Sequence, residues 1–202
     1  LKGFFFPFMR RVLPALGNEM LWSLSVVLCN MILGRMGDEY YAGLTAFRTI
    51  ENIGFVFFVG VCNACNILVG KHIGAGDVEG GKRLSRQFFR LVPFLGAFVG
   101  GMVILLRAPI LTLFDISALA RETAMGLMLL YGIEVSVRNI PYIAVVGVFR
   151  GGGDTRIGLI GDVSAQYLCI LPALYLCGLV FKLPFLTSYL IMLLVDDVVK
   201  LA

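Results

Sequence analysis

Polarity is what this sequence has least of. Charged side chains make up 15 % of its 202 residues and there is a single histidine. A water-soluble helical fold keeps one polar face on each helix, and a hydrophobic share of 59 % leaves too few polar residues for that. His72 stands without the His/Asp or Asp-rich cluster that a membrane-embedded acyl or glycosyl transferase would need at one membrane face. The five cysteines, Cys29, Cys62, Cys65, Cys169 and Cys177, all lie in apolar segments. Cys62-x-x-Cys65 has the spacing of half a zinc site but no second Cys or His pair, so these thiols read as small packing residues. No secretory cleavage pattern is present.

What is there is a succession of apolar runs. Six are long enough to cross a bilayer: Leu13–Leu33, Ala42–Val69, Phe88–Leu106, Thr123–Phe149, Ile157–Phe181 and Pro184–Val199. The pattern predicts an all-α integral membrane protein, a bundle of six transmembrane helices. The chain starts at Leu1 without an initiator methionine and stops at Ala202, hard against the last span, and is expected to be part of a longer protein.

The net charge of +4 would suggest nucleic acid in a soluble protein. Here the cations sit between the spans, where they set orientation, and nucleic acid is not an expected partner. If the chain crosses six times, Lys2, Arg10, Arg11, Lys71, Lys82, Arg83, Arg86, Arg90, Arg150, Arg156 and Lys200 share the side of the N-terminus, and Arg35, Arg107, Arg121 and Lys182 lie opposite. Eleven against four puts both termini in the cytoplasm of a plasma-membrane protein.

Residues 1–12 mix aromatics with cations, as suits an interfacial linker before the first crossing; the six-helix unit is 13–202. In Lys82-Arg-Leu-Ser-Arg-Gln-Phe-Phe-Arg90 the cations recur at four-residue spacing, either as the solvated start of the third helix or as a helix skimming the inner leaflet. Pro141 and Pro172 fall within spans and predict kinks. Gly96, Gly100 and Gly101 offer close helix approach in the third.

Three local patterns are sharper than composition. Pro14-Ala-Leu-Gly-Asn-Glu-Met-Leu-Trp22 opens the first span, and Gly60-Val-Cys-Asn-Ala-Cys-Asn-Ile-Leu-Val-Gly-Lys-His-Ile-Gly-Ala-Gly76 ends the second in a glycine cluster. Val148-Phe-Arg-Gly-Gly-Gly-Asp-Thr155 closes the fourth on the same side. In order, spacing and sidedness these closely resemble the multidrug and toxic compound extrusion (MATE) family of secondary transporters. The resemblance implies two six-helix lobes about a substrate cavity, this chain being the C-terminal lobe and its partner a missing N-terminal lobe. It implies an antiporter that exports organic cations or other amphiphiles against Na+ or H+, with no organic cofactor and no enzymatic chemistry. The Gly151-Gly152-Gly153-Asp154 stretch lacks the Lys-Ser/Thr ending of a nucleotide loop and reads as a tight turn.

An ionisable group in hydrocarbon costs roughly 2.5–3.5 kcal/mol on the insertion scale, so each one is a candidate site. Glu19, with Asn18 before it and Trp22 one turn on, could take Na+, a proton or a cationic substrate; an interfacial acid paired with Arg10 or Arg11 is the other reading. Glu134 and Arg138 are the most interior charges, spaced for an ion pair along one helix, with Asn139 beside them. Some MATE proteins carry an aspartate eleven residues before the Arg of the Arg-Gly motif; here that position is Asn139, and Glu134 is the acid that could replace it. Arg48 and Glu51 either line the outer vestibule or snorkel to the interface. Of Asp196 and Asp197 at most one can face inward, Lys200 being within reach, and His72 is expected to be solvated. A lipid-linked oligosaccharide flippase of the same superfamily is the nearest rival, but it should have a more cationic groove than these mixed charges make; a purely structural membrane subunit is a further one.

Overall fold

Apolar runs of this length settle into helices because a lipid environment offers the backbone no other hydrogen-bond partner. The computed structural model describes residues 2–149 and 163–201, and every element among the described residues is helical. Six helices follow one another: α1 (Lys2–Gly34), α2 (Asp38–Gly74), α3 (Val78–Leu111), α4 (Ala118–Tyr142, continued as a π-helix over Ile143–Phe149), α5 (Ala165–Val180) and α6 (Phe185–Leu201). Residues 157–162 of the expected fifth span and the Arg150–Thr155 part of the third pattern lie outside the described residues.

The helices outrun the spans marked by hydropathy. At 1.5 Å per residue the 37 residues of α2 extend about 55 Å, well beyond a hydrocarbon layer of about 30 Å. The surplus is polar: Asp38 and Glu39 in its first turn, Lys71 and His72 in its last, each the sign that the helix dipole favours. Only 28 % of the most apolar stretch of α2, and of α3, is buried inside the bundle, so most of that apolar surface points outward. The cationic segment beginning at Lys82 does not skim the surface; it continues without a break into the third span. Residues 2–12 likewise run straight into the first span as one helix.

Both expected prolines leave a mark on the hydrogen-bond ladder. Pro141 is followed by the π-helical Ile143–Phe149, and Pro172 sits at the start of a short α-helical turn, Leu171–Tyr175, between π-helical Ala165–Ile170 and Leu176–Val180. A missing N–H and a bulky ring are accommodated by widening the helix.

The tightest packing is α3 on α4, with α2 across both. Gly96 and Gly100 make it possible. A Cβ at Gly96 would fall 2.5 Å from Cα of Ser136, and one at Gly100 would fall 2.2 Å from the Gly132 carbonyl oxygen. Gly101 has open space around it, so two of the three expected contact glycines serve that role. Phe47, fully buried, meets Tyr131 edge-on at 5.7 Å and Tyr189 at 6.3 Å, which joins α2, α4 and α6 in one core.

The turn between α2 and α3 has its own lock. Gly76 takes φ +81°, a left-handed conformation natural to glycine, and Asp77 then caps α3 by accepting from the Gly80 amide at 2.9 Å. The other Asp77 oxygen lies 2.9 Å from Nδ1 of His72, so the histidine is half exposed but paired. The Gly80 amide, and after it the His72 ring, hold the Asp77 carboxyl below the usual carboxylate range. A lowered folded-state pKa means that the stabilisation is present at neutral pH and disappears as pH falls through that depressed value. Asp77→Ala should therefore lower the melting temperature at neutral pH, and the gap from wild type should close on acidification. A gap that persists in acid would assign the effect to something other than the charged cap.

Candidate functional site

The inward faces of α2, α4 and α6 carry the charges. On α2 the buried positions Phe47, Gly54 and Phe58 define a stripe, and Glu51 falls in register with them. On α4, Glu134 and Arg138 flank the buried Tyr131 and Val135. On α6, Asp196 continues the series Phe185, Tyr189, Leu193.

The helices meet so that Arg138 Nη1 donates to Glu51 Oε1 at 2.7 Å, across 87 residues of sequence. Glu134, the partner that helix spacing suggests, is more distant, its Oε1 lying 3.9 Å from Arg138 Nε. One guanidinium thus serves two carboxylates and is nearer to the one on the other helix. Both Glu134 oxygens are buried and accept no hydrogen bond from the described residues. Among the described residues Glu51, Asp196 and Asp197 are also close enough to act on Glu134.

Arg48 and Glu51 do not form a surface pair. Arg48 Nη1 donates to Asn30 Oδ1 on α1, while Glu51 turns inward to Arg138. Neither snorkels clear of the protein: Glu51 keeps 15 % of its side-chain surface exposed. Asn139 is buried and donates back to the Val135 carbonyl at 2.9 Å, which engages one of its amide hydrogens within its own helix. Two contacts bind α1 to α5: in the interior Ser25 Oγ donates to Gln166 Oε1 at 2.8 Å, and on the exposed side the Tyr167 hydroxyl donates to the Leu21 carbonyl at 2.9 Å.

Glu19 and Trp22 lie earlier on α1 than Ser25 and Asn30. Both are exposed, as is every residue from position 19 to 24, with the Ser23 hydroxyl donating to the Glu19 carbonyl at 2.7 Å. Glu19 precedes Asn30 by eleven positions, about 16 Å along the helix. The side chains of Asn18, Arg10, Arg11 and Lys200 lie outside the described residues. Among the described residues no three His, Cys, Asp or Glu side chains converge as a metal shell, at Glu19 or elsewhere.

The contacts that sequence reasoning missed are those across helices: Glu51 to Arg138, Arg48 to Asn30, Ser25 to Gln166. The register of Glu51 with Phe47, Gly54 and Phe58 was the available signal that this acid points inward.

Long helices that turn apolar surface outward and ionisable groups inward define a lobe of a polytopic helical membrane protein. The MatE family model matches residues 14–176, and the chain belongs to that family. Protein DETOXIFICATION 18 of Arabidopsis thaliana is 26 % identical over 133 residues, 66 % of this chain and 28 % of that protein. Two solved structures share the fold. One is a MOP superfamily transporter from Pyrococcus furiosus, whose binding pocket is described as of reverse polarity, suggesting a different function; it has a TM-score of 0.81 at 17 % identity, over 96 % of this chain and 42 % of that one. The other is an outward-facing multidrug resistance MATE family transporter of the MOP superfamily, with a TM-score of 0.77 at 16 % identity, over 93 % and 42 %. The chain spans less than half the length of each of these three.

Proposed function

We propose that this chain is the C-terminal lobe of a MATE-type secondary antiporter of the plasma membrane, which exports organic cations or other amphiphiles in exchange for Na+ or H+. Both ends of the segment face the cytoplasm in this reading. One observation carries it: Glu134 sits buried with no hydrogen bond to the described residues, beside an arginine whose nearer partner is another acid. Two carboxylates on one guanidinium leave a net negative charge, which a mobile cation can neutralise and then leave. Glu19 and Trp22, exposed on α1, suit a surface shared with the N-terminal lobe, where an acid and an aromatic ring would meet a cationic amphiphile.

The two acids then have separable roles. In the full-length transporter reconstituted in vesicles, Glu134→Gln should abolish efflux driven by a pH or Na+ gradient, whereas Glu19→Gln should raise the KM for a cationic drug. Comparing the two gradients identifies the coupling ion. Wild-type efflux from both variants, at wild-type protein levels, would remove the proposed sites.

A further inference from the structure

The outward face of α3 changes character along its length. Arg83, Arg86 and Arg90 are exposed on one sector of the helix, and Leu91, Phe94 and Phe98 continue the same sector, Phe94 and Phe98 being 77 % and 67 % exposed. The opposite sector, through Val92, Gly96, Gly100 and Val103, is buried, chiefly against α4. This face is therefore not hidden by the bundle.

Among the described residues its cations are unevenly matched. Lys82 pairs with Glu79 at 3.0 Å, and Arg83 lies in the field of Asp77. Among the described residues neither Arg86 nor Arg90 has a carboxylate within 4.0 Å. The Arg86 Nε hydrogen bond goes to its own helix, at 3.4 Å to the Lys82 carbonyl, which leaves the rest of the guanidinium fork outward.

The distances suit a lipid. Arg86 and Arg90 are one turn apart, about 6 Å, the scale of a single headgroup. Phe94 and Phe98 follow about 6 and 12 Å further on, within the roughly 15 Å of hydrocarbon in one leaflet. A soluble phosphate would use the arginines but leave the aromatic strip unexplained.

We propose that Arg86 and Arg90 hold the headgroup of an anionic phospholipid whose acyl chain lies along Leu91, Phe94 and Phe98. The phosphate accepts hydrogen bonds from the two guanidinium forks, and the acyl chain covers rings that the described residues leave largely exposed. The site is independent of the transport reading, since it needs only the membrane-crossing α3.

The test is a thermal-shift titration of the full-length transporter in an uncharged detergent, with dioleoylphosphatidylglycerol, dioleoylphosphatidylcholine and soluble glycerol 1-phosphate as probes. Phosphatidylglycerol should raise the melting temperature and the other two should not. In the Arg86→Gln, Arg90→Gln double variant the apparent affinity should fall about 30-fold, which is about 2 kcal/mol at 1.4 kcal/mol per tenfold. The Arg86→Lys, Arg90→Lys variant keeps the charge without the fork and should retain part of the shift, more than the Gln variant does, which separates lost binding from lost folding. Three results would each overturn the proposal: an equal shift with phosphatidylcholine, a shift with glycerol 1-phosphate alone, or an unchanged titration in the Gln variant. The first would make the face ordinary lipid contact, the second a soluble-anion site, and the third would place the lipid elsewhere.

Discussion

Glu51→Gln is expected to cost the bundle about 3 kcal/mol, the lower end of the 3–5 kcal/mol that breaking a buried ion pair costs. The lower end applies because Arg138 keeps a third of its side-chain surface, 33 %, exposed and can draw some compensation from its surroundings. The loss arises mainly from Arg138, whose nearest acceptor, 2.7 Å away, is neutralised. Arg138→Gln should cost a similar amount, and the double variant should recover part of it, since Glu51 and Arg138 then strand each other no longer and only Glu134 has lost its cation. The same cycle between Glu134 and Arg138 should show weaker coupling, because their closest approach is 3.9 Å with no hydrogen bond. Unfolding of the purified protein, measured on all five variants, checks both cycles. Equal coupling in the two would mean that Arg138 is shared evenly, and coupling only to Glu134 would mean that the helix-internal pair dominates after all.

Gly100→Ala should be the most damaging single methyl on α3. Its Cβ would lie 2.2 Å from the Gly132 carbonyl oxygen, and a backbone atom cannot swing aside as a side chain can. Overpacking of this kind costs about 1–3 kcal/mol, against which the helix propensity of alanine returns at most about 1 kcal/mol. Gly101→Ala is the matched control: with nothing within 4 Å of the added carbon, it should be neutral or slightly stabilising. Melting temperatures of the two variants would decide between a contact that depends on the particular glycine and a general preference for flexibility in α3. Identical behaviour would remove Gly100 from the α3–α4 interface.

The residues that gave themselves away in sequence are those whose role is local. Long apolar runs dictated membrane-crossing helices because the backbone must satisfy itself, and the chain delivers helices over all six runs as far as they are described. Pro141 and Pro172 announced disturbed helices, and the glycine cluster before Asp77 announced a turn, because ring closure and positive φ act within a few residues. The patterns at Pro14–Trp22 and Gly60–Gly76 carried the family for the same reason: they are runs of contiguous residues within the matched segment 14–176.

Partnership between helices was a different matter. Helical spacing proposes Glu134 for Arg138 because those two are neighbours on one cylinder, but it says nothing about how α2 is rotated against α4. That rotation brought Glu51 to 2.7 Å and left Glu134 with its oxygens unbonded among the described residues, reversing the order that spacing implies. The rotation of α3 against α4 likewise separated Gly96 and Gly100, which touch α4, from Gly101, one residue on and turned 100° away. The length and order of the apolar runs determined that the chain is a bundle of membrane helices with charges inside the spans; only the packing of those helices decided which charges meet, since an interhelical contact depends on axial register and rotation that no single helix encodes.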